Sequence, residues 1–460
     1  MLTEDGGLQS IRKRKFSDHQ KVLFQSRIIF ILFYVVMTTI HSRVMMPESR
    51  GFLFITASSH QSKMSEACLL LFNSLNEWRC MVWDDAGIAR IVPFSSTSVP
   101  LHNTTVYSPL LSGTATFFSA SAIIDWENNT ISLDQDDRET YIISNLDQRS
   151  QVTQSIGIRS AIVVRVTTND ATTTSDGDQL SNKVFGTFGD KVNMSSQYKA
   201  CSYGKQLIQP APDTSVISNG VVEVKLNINA KQQTSSELES LAFAALEEIL
   251  GKKFYLKYDH IMICLPPGFT DADVFFAHGY FKFPVSTYND EQITYLSYQM
   301  HETGHNFGLS HAGLDTGSKI DLEYGDYSGY MGGSYDRVGF PEMCFNAPQS
   351  WELGWYTNSH LTVNPFTRTN RWVGNIFGIS NYIKSGARKT LVRIVGGKDK
   401  DYFINFNQAT GMNSGSQLGW DTVLITYIKK NDPLDLYTTN VGQLYSGQRK
   451  VIKNYSGTGR

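Results

Sequence analysis

The chain has 460 residues, which allows two or three domains. Its 41% apolar share is enough for ordinary cores, and a net charge of −2 gives no electrostatic case for nucleic acid as a partner. Only 18% of residues are charged while Asn, Ser, Thr, Gly and Tyr are plentiful, a balance that suits an extracellular, β-rich protein.

Near the start, Arg12-Lys13-Arg14-Lys15 precedes an apolar run from Ile28 to Ile40. The run is too short for a comfortable membrane span and fits the core of a signal peptide behind a basic lead. His41-Ser42-Arg43 is an imperfect cleavage site, so a retained signal anchor is the alternative, and only then is the membrane a partner. Residues 1–42 are read as this targeting segment, and the protein as secreted. The five cysteines, Cys68, Cys80, Cys201, Cys264 and Cys344, contain no C-x-x-C pair. A secreted chain would form one or two disulfides from them and leave one thiol over. Sequons at Asn103, Asn128, Asn193 and Asn454 are compatible with glycosylation.

In residues 43–155, Ser65 to Leu75 reads as a short helix, and Ala122–Trp126 and Thr140–Ile143 as short strands. No chemistry-bearing constellation falls here. Cys80 has two readings: a structural disulfide, for instance with Cys68, or a thiolate that blocks a metal by taking the place of its water.

From Arg159 the texture changes. Ser160–Val166 is nearly all apolar and reads as a strand covered on both faces. Val221–Ile228 alternates after an Asn219-Gly220 turn. Ser236-Glu237-Leu238-Glu239 reads as a capping box, opening a helix with Leu238, Leu241, Ala245 and Ile249 on one face and Gly251 at its end. His260–Leu265 is a second buried strand. Gly279–Phe283 reads as an edge strand ended by Pro284. Asn289 and Gln292 read as the capping pair of a further helix, on which Ile293, Leu296, Met300 and Phe307 form an apolar stripe.

That helix carries His301-Glu302-Thr303-Gly304-His305-Asn306-Phe307-Gly308-Leu309-Ser310-His311. His301 and His305 are four apart and point two imidazoles at one ion. Gly308 lets the chain leave the helix and bring back His311 as a third nitrogen ligand. Three histidines and a water make an open, catalytic kind of zinc site, and Glu302 is placed to act on the water as general base. The chance expectation for these five positions over the whole chain is on the order of 10⁻⁵. Met331, twenty residues past His311 and flanked by Gly329, Gly332 and Gly333, fits a methionine on a tight turn beneath the ligands. His260 and His278 read as ordinary histidines.

The chain resembles the gametolysin family of metzincin zinc metallopeptidases. The resemblance rests on Cys201-Ser202-Tyr203-Gly204, Tyr258-Asp259-His260, His301 to His311, Tyr324-Gly325-Asp326 through Met331-Gly332, and Asn346-Ala347-Pro348-Gln349 leading to Leu353-Gly354-Trp355. It covers residues 155 to 360 best. It implies an α/β, metzincin-like catalytic domain, a mixed twisted sheet with an active-site helix and Met-turn. It also implies substrates among extracellular-matrix or cell-wall glycoproteins. Gly333 stands where some metzincins carry a tyrosine ligand, so no tyrosine ligand is assigned.

Lys389–Val395 and Thr422–Tyr427 read as strands of a smaller all-β module, and Asp401–Phe406 looks like the later β region of the resembled family. The expected organisation is a targeting segment (1–42), a pro-segment (43–155), a zinc peptidase domain (156–360) and the β-rich module (361–460). The expected function is a zinc endopeptidase with Zn2+ on His301, His305 and His311 and Glu302 as base. The protein or glycoprotein substrate would pair with the edge strand at Tyr280–Phe283. Two rivals stand beside it: a non-peptidase zinc hydrolase, and a cell-surface adhesion or wall-binding protein with a structural or vestigial metal site.

Overall fold

The computed structural model describes residues 61–63, 68–84, 88–95, 115–118, 122–126, 129–133, 141–144, 155–317, 322–333, 342–367, 372–385, 388–430, 437–453 and 455. The apolar run Ile28–Ile40 and the sequons at Asn103, Asn128 and Asn454 lie outside them. Among the described residues no helix is long and apolar enough to cross a membrane.

Among its described residues, the N-terminal part has the strands β1 (Gln61–Lys63), β2 (Cys68–Phe72), β3 (Trp78–Trp83), β4 (Ala89–Pro93), β5 (Ala115–Phe118), β6 (Ile123–Asp125), β7 (Thr130–Ser132) and β8 (Tyr141–Ser144). They make an antiparallel five-stranded sheet in the order β4-β3-β2-β5-β8 and a three-stranded one, β1-β6-β7. Leu70, Val82, Val92, Phe117 and Ile124 form their own buried core. Where a helix was expected over Ser65–Leu75, Cys68–Phe72 is a strand. Its run of apolar residues has no period of its own, and the flanking strands β3 and β5 settle it as sheet. Pairing Leu70 with Cys80 brings Cys80 beside Cys68, and the two form a disulfide.

The central part runs β9 (Gly157–Thr167), α1 (Gly177–Phe185), α2 (Met194–Cys201), β10 (Gln206–Pro210), β11 (Ile217–Ser218), β12 (Val221–Lys225), α3 (Ser235–Leu250), β13 (His260–Leu265), β14 (Ala277–Gly279), β15 (Val285–Asn289), α4 (Leu296–Asn306) and β16 (Ala312–Leu314). A seven-stranded mixed sheet has the order β11-β12-β9-β13-β15-β14, with β10 also on β9. β9 is central because Ala161, Ile162, Val163 and Val164 are buried on both faces. β10 and β12 share one side of it and β13 takes the other, all parallel. The β11–β12 hairpin turns on Asn219 (φ 52°) and Gly220 (φ 78°), the left-handed pair that a two-residue hairpin requires. β14 is the antiparallel edge.

Two helix starts differ from the sequence reading. α3 is capped by Thr234, whose Oγ1 accepts from Glu237 N, while Glu237 returns a bond to Thr234 N. This capping box begins two residues earlier than expected and releases Glu239 for another role. The buried side of α3 is Leu238, Ala242, Phe243 and Leu246, and Ile249 is 37% exposed. The shift has a cause: α3 packs on β13 and also on β4 of the N-terminal sheet. The chain from Asp290 to Thr294 is a 3-10 turn, and α4 begins only after Tyr295, with no side-chain cap.

The last part adds α5 (Ala347–Glu352), β17 (His360–Val363), β18 (Leu391–Ile394), β19 (Lys400–Asn407), β20 (Thr422–Lys429) and β21 (Thr438–Leu444). These strands form a six-stranded sheet, β16-β21-β20-β19-β18-β17, whose edge strand β16 comes from just after His311. Leu391 and Phe403 lie in the same buried cluster as Met300 and Met331. The Cys201–Cys344 disulfide ties the end of α2 to the segment before α5, and Cys264 is a buried free thiol. Asn193, the described sequon, is 3% exposed and caps α2 through Ser196 N while its amide donates to Asp190 O. A side chain committed this way offers no room for a glycan.

Candidate metal centre

α4 lies beneath the edge of the central sheet. The approach is so close that a Cβ on Gly279 would stand 2.3 Å from the Glu302 carbonyl oxygen. Only glycine fits there, so the strand and the helix are locked in register at the motif. His301 and His305 project one turn apart. Gly308 then takes φ +88° and turns the chain so that His311 returns to them. The ligand-type atoms of the three histidines lie within 4.8 Å of one another, and all three residues are buried.

Each imidazole is held from its far side. His301 Nδ1 bonds to the Tyr330 carbonyl, His305 Nδ1 to the Leu309 carbonyl and His311 Nδ1 to Glu323 Oε1, each at 2.8 Å. A carbonyl or a carboxylate only accepts, so Nδ1 carries the proton and Nε2 keeps a lone pair. Nε2 of His305 and of His311 is buried without a hydrogen-bond partner. Burial, and next the neighbouring His311, push His301 down to about 3. Burial with the two neighbouring imidazoles depresses His305 strongly. His301 and His305 are therefore neutral imidazoles at ordinary pH, and the orphaned nitrogens of His305 and His311 lie close together. A metal ion fits that donor set.

Residues 330 and 331 brace the site. Tyr330 supplies the carbonyl for His301, and the Met331 carbonyl accepts from Ala312 N at 2.8 Å, just past His311. Met331 is fully buried, and its Sδ would stand 2.6 Å from a Cβ on Gly304. The methionine therefore packs directly on α4 between the first two histidines. Asp326 is buried beside it. It accepts from Ser328 Oγ at 2.6 Å, Asn346 Nδ2 at 3.1 Å and Asn440 Nδ2 at 3.1 Å.

Glu302 is 3% exposed, and its Oε2 lies 4.0 Å from His305 Nε2. Burial pushes its carboxyl up to about 8 against the pull of hydrogen bonds from Ser74 and Gly279. Ser74 Oγ bonds to Glu302 Oε2 at 3.2 Å. The four residues picked out by the motif are thus together. His260 and His278 stand apart from them: His260 bonds to Asn306 at 3.1 Å, and His278 pairs with Glu239 at 2.9 Å.

Sequence reasoning missed Glu323 and gave Tyr324 no role at the site. Glu323 orients His311, and the Tyr324 ring lies 4.2 Å from the His311 ring. Both sit in the Gly-, Asp- and Tyr-rich loop after the motif, and no spacing rule singles them out.

Comparison with known proteins agrees with this geometry. Residues 161–384 match the family model described as Gametolysin peptidase M11. A relative named Autolysin, from Chlamydomonas reinhardtii, is 31% identical over 106 residues, which is 23% of this chain. The match spans only 16% of that relative's length. The matched segment holds most of the central sheet, all three histidines and the segment that braces them, and over these residues the chain is similar to the gametolysin peptidases.

Proposed function

We propose that this chain is a zinc-dependent endopeptidase that hydrolyses peptide bonds of extracellular-matrix or cell-wall proteins and glycoproteins. One observation carries the reading: three buried imidazoles, each fixed through Nδ1, bring their ring nitrogens around one point next to the buried carboxyl group of Glu302. Three nitrogen ligands with no thiolate among them favour zinc in a site with a position left open. Zinc bound there supplies Lewis acidity and lowers the pKa of its water to about 7. Glu302 takes the proton of the attacking water and delivers it to the leaving amine. His301, His305 and His311 would hold the metal, each oriented through Nδ1 by Tyr330, Leu309 and Glu323 respectively. The backbone of Gly279–Phe281, on the side of β14 away from β15, is where the extended substrate pairs.

In this reading the mixed sheet with one antiparallel edge, the histidine helix and Met331 on its tight turn are a metzincin catalytic domain over residues 156–360. Residues 1–42 direct secretion and 43–155 are a pro-segment. The C-terminal strands support the catalytic domain. Action at a cell wall is suggested by the name of the Autolysin relative and by the family match.

The test is zinc content and cleavage of casein or gelatin by the full chain, before and after limited proteolysis, with and without a chelator. Glu302→Gln should keep its zinc and lose about 10²–10⁴-fold in turnover. Equal turnover from the variant would remove Glu302 from the mechanism. Stoichiometric zinc without cleavage of any peptide would favour a wall-binding protein instead.

A further inference from the structure

The turn between β2 and β3 does not end in solvent. Asn73 is fully buried and Ser74 is 4% exposed. The turn is internally built. Asn73 Oδ1 accepts from Leu75 N at 3.1 Å and Glu77 N at 2.9 Å, and Asn76 takes the left-handed conformation at φ 63°. This stiff tip lies along the edge of the central sheet. Ser74 N donates to the Gly279 carbonyl and Phe281 N donates to the Phe72 carbonyl, both at 3.0 Å. Asn73 and Tyr280 form an antiparallel bridge. The tip therefore continues the sheet past β14 and takes up the backbone groups that an extended peptide would need.

Three side chains complete the contact. Ser74 Oγ reaches Glu302 Oε2 at 3.2 Å, where the proton of an attacking water would go. The Phe72 ring stands 5.8 Å from Phe281, which in turn lies 4.7 Å from the His305 ring. Arg79, 3% exposed, bonds to Glu239 Oε2 at 3.1 Å, Tyr280 OH at 3.2 Å and Glu77 Oε2 at 3.0 Å. Tyr280 OH also donates to Glu239 Oε1 at 2.6 Å. A guanidinium held by two carboxylates and a phenol out of water is costly to leave half-paired, so it makes a firm latch. Cys80, one residue on, is bonded to Cys68 and has no thiol to offer a metal.

We propose that the Phe72–Arg79 hairpin is an intramolecular inhibitor that holds the chain latent by pairing with the β14 edge and capping Glu302 with the Ser74 hydroxyl, latched by Arg79. Activation is then displacement or removal of this hairpin, and no cysteine leaves the metal. The proposal rests on the peptidase reading above, because latency has meaning only for an enzyme.

The experiment uses the full chain and two readouts: hydrogen–deuterium exchange at the Phe281 and Ser74 amides, with and without zinc, and casein cleavage. Arg79→Met should speed exchange at Phe281 by about tenfold or more, since it frees a local opening rather than the whole fold. It should also raise cleavage by the untrimmed chain toward the level reached after limited proteolysis. Ser74→Ala, which removes one hydroxyl and leaves the latch, should raise cleavage by less and keep the same fold. If Arg79→Met fails to fold, Ser74→Ala with the wild type still decides the matter. The proposal is overturned if the Phe281 amide of the wild type exchanges like an exposed one. It is equally overturned if the intact chain cleaves casein as fast as the trimmed chain. Absence of cleavage in both intact and trimmed, zinc-loaded protein counts against the peptidase reading, and the exchange data then still report whether the hairpin occupies the edge.

Discussion

His311 differs from the other two histidines in what holds it. His301 and His305 bond to backbone carbonyls, which the fold fixes, whereas His311 bonds to the side chain of Glu323. The hydrogen bond to His311 in turn keeps the Glu323 carboxyl below its ordinary range. That bond sets the tautomer that leaves Nε2 unprotonated. Glu323→Ala removes the only one of the three supports that a point substitution can delete. Metal affinity of the full chain should fall about 10-fold, with the fold intact, measured by competition with a chromogenic chelator. An unchanged affinity would show that packing against Tyr324 alone orients the ring. The motif residues were legible because their order along one helix is their order in space. Glu323 was not, because it meets His311 only after a loop has folded back, and no periodicity records that.

At the scale of elements, the sequence was most legible where one periodicity had one cause. β9 and β13 show continuous apolar runs because both of their faces are covered. The Asn219-Gly220 turn was legible because its left-handed backbone admits few residues. Cys68–Phe72 and α3 were misread for a common reason. Each is buried by an element far away in sequence: β3 and β5 make the first a strand, and the N-terminal sheet covers the second face of α3. Glu239 belongs to that second face. Burial alone would raise its carboxyl, but the charges of His278 and Arg79 outweigh this and hold it down to about 2. Glu77, also on Arg79, is lowered too, against burial, and Tyr280 is the remaining titratable group in the cluster. The sign follows from the depressed pKa. The stabilisation Glu239 gives is fully present above about 4.5 and is lost as pH falls through about 2. Docking of the β2–β3 hairpin should therefore persist in mild acid and release only below pH 4.5. Limited proteolysis of the intact chain across a pH series, with an acid-active protease, reads this directly. Release already at pH 6 would mean that Glu239 does not govern the latch.

Across the whole molecule, the metal site is finished by residues more than a hundred positions beyond it. β16 begins at Ala312, immediately after the third histidine, and its sheet partner is β21. Thr438 N donates to the His311 carbonyl at 3.2 Å. Asn440 Nδ2 and Asn346 Nδ2 converge on the buried carboxylate of Asp326, and Asn346 also reaches Thr438 Oγ1 at 2.7 Å. Without β21, Asp326 loses the Asn440 donor, and β16 presents an unpaired edge beside the histidines. Leu391 and Phe403 would leave the core that holds Met300 and Met331, each buried apolar side chain being worth about 1.5–3 kcal/mol. Together they make up a large share of the about 5–15 kcal/mol by which a domain is stable, before the lost pairing of β16 is counted. A chain ended at residue 360 is therefore expected to lose both its cooperative thermal transition and stoichiometric metal binding, whereas Thr438→Val in the full chain should only lower the transition by a few degrees. A truncated chain that folds and binds one metal ion per molecule would show that the catalytic half is self-sufficient. The C-terminal strands would then be a separable module rather than the third wall of the site.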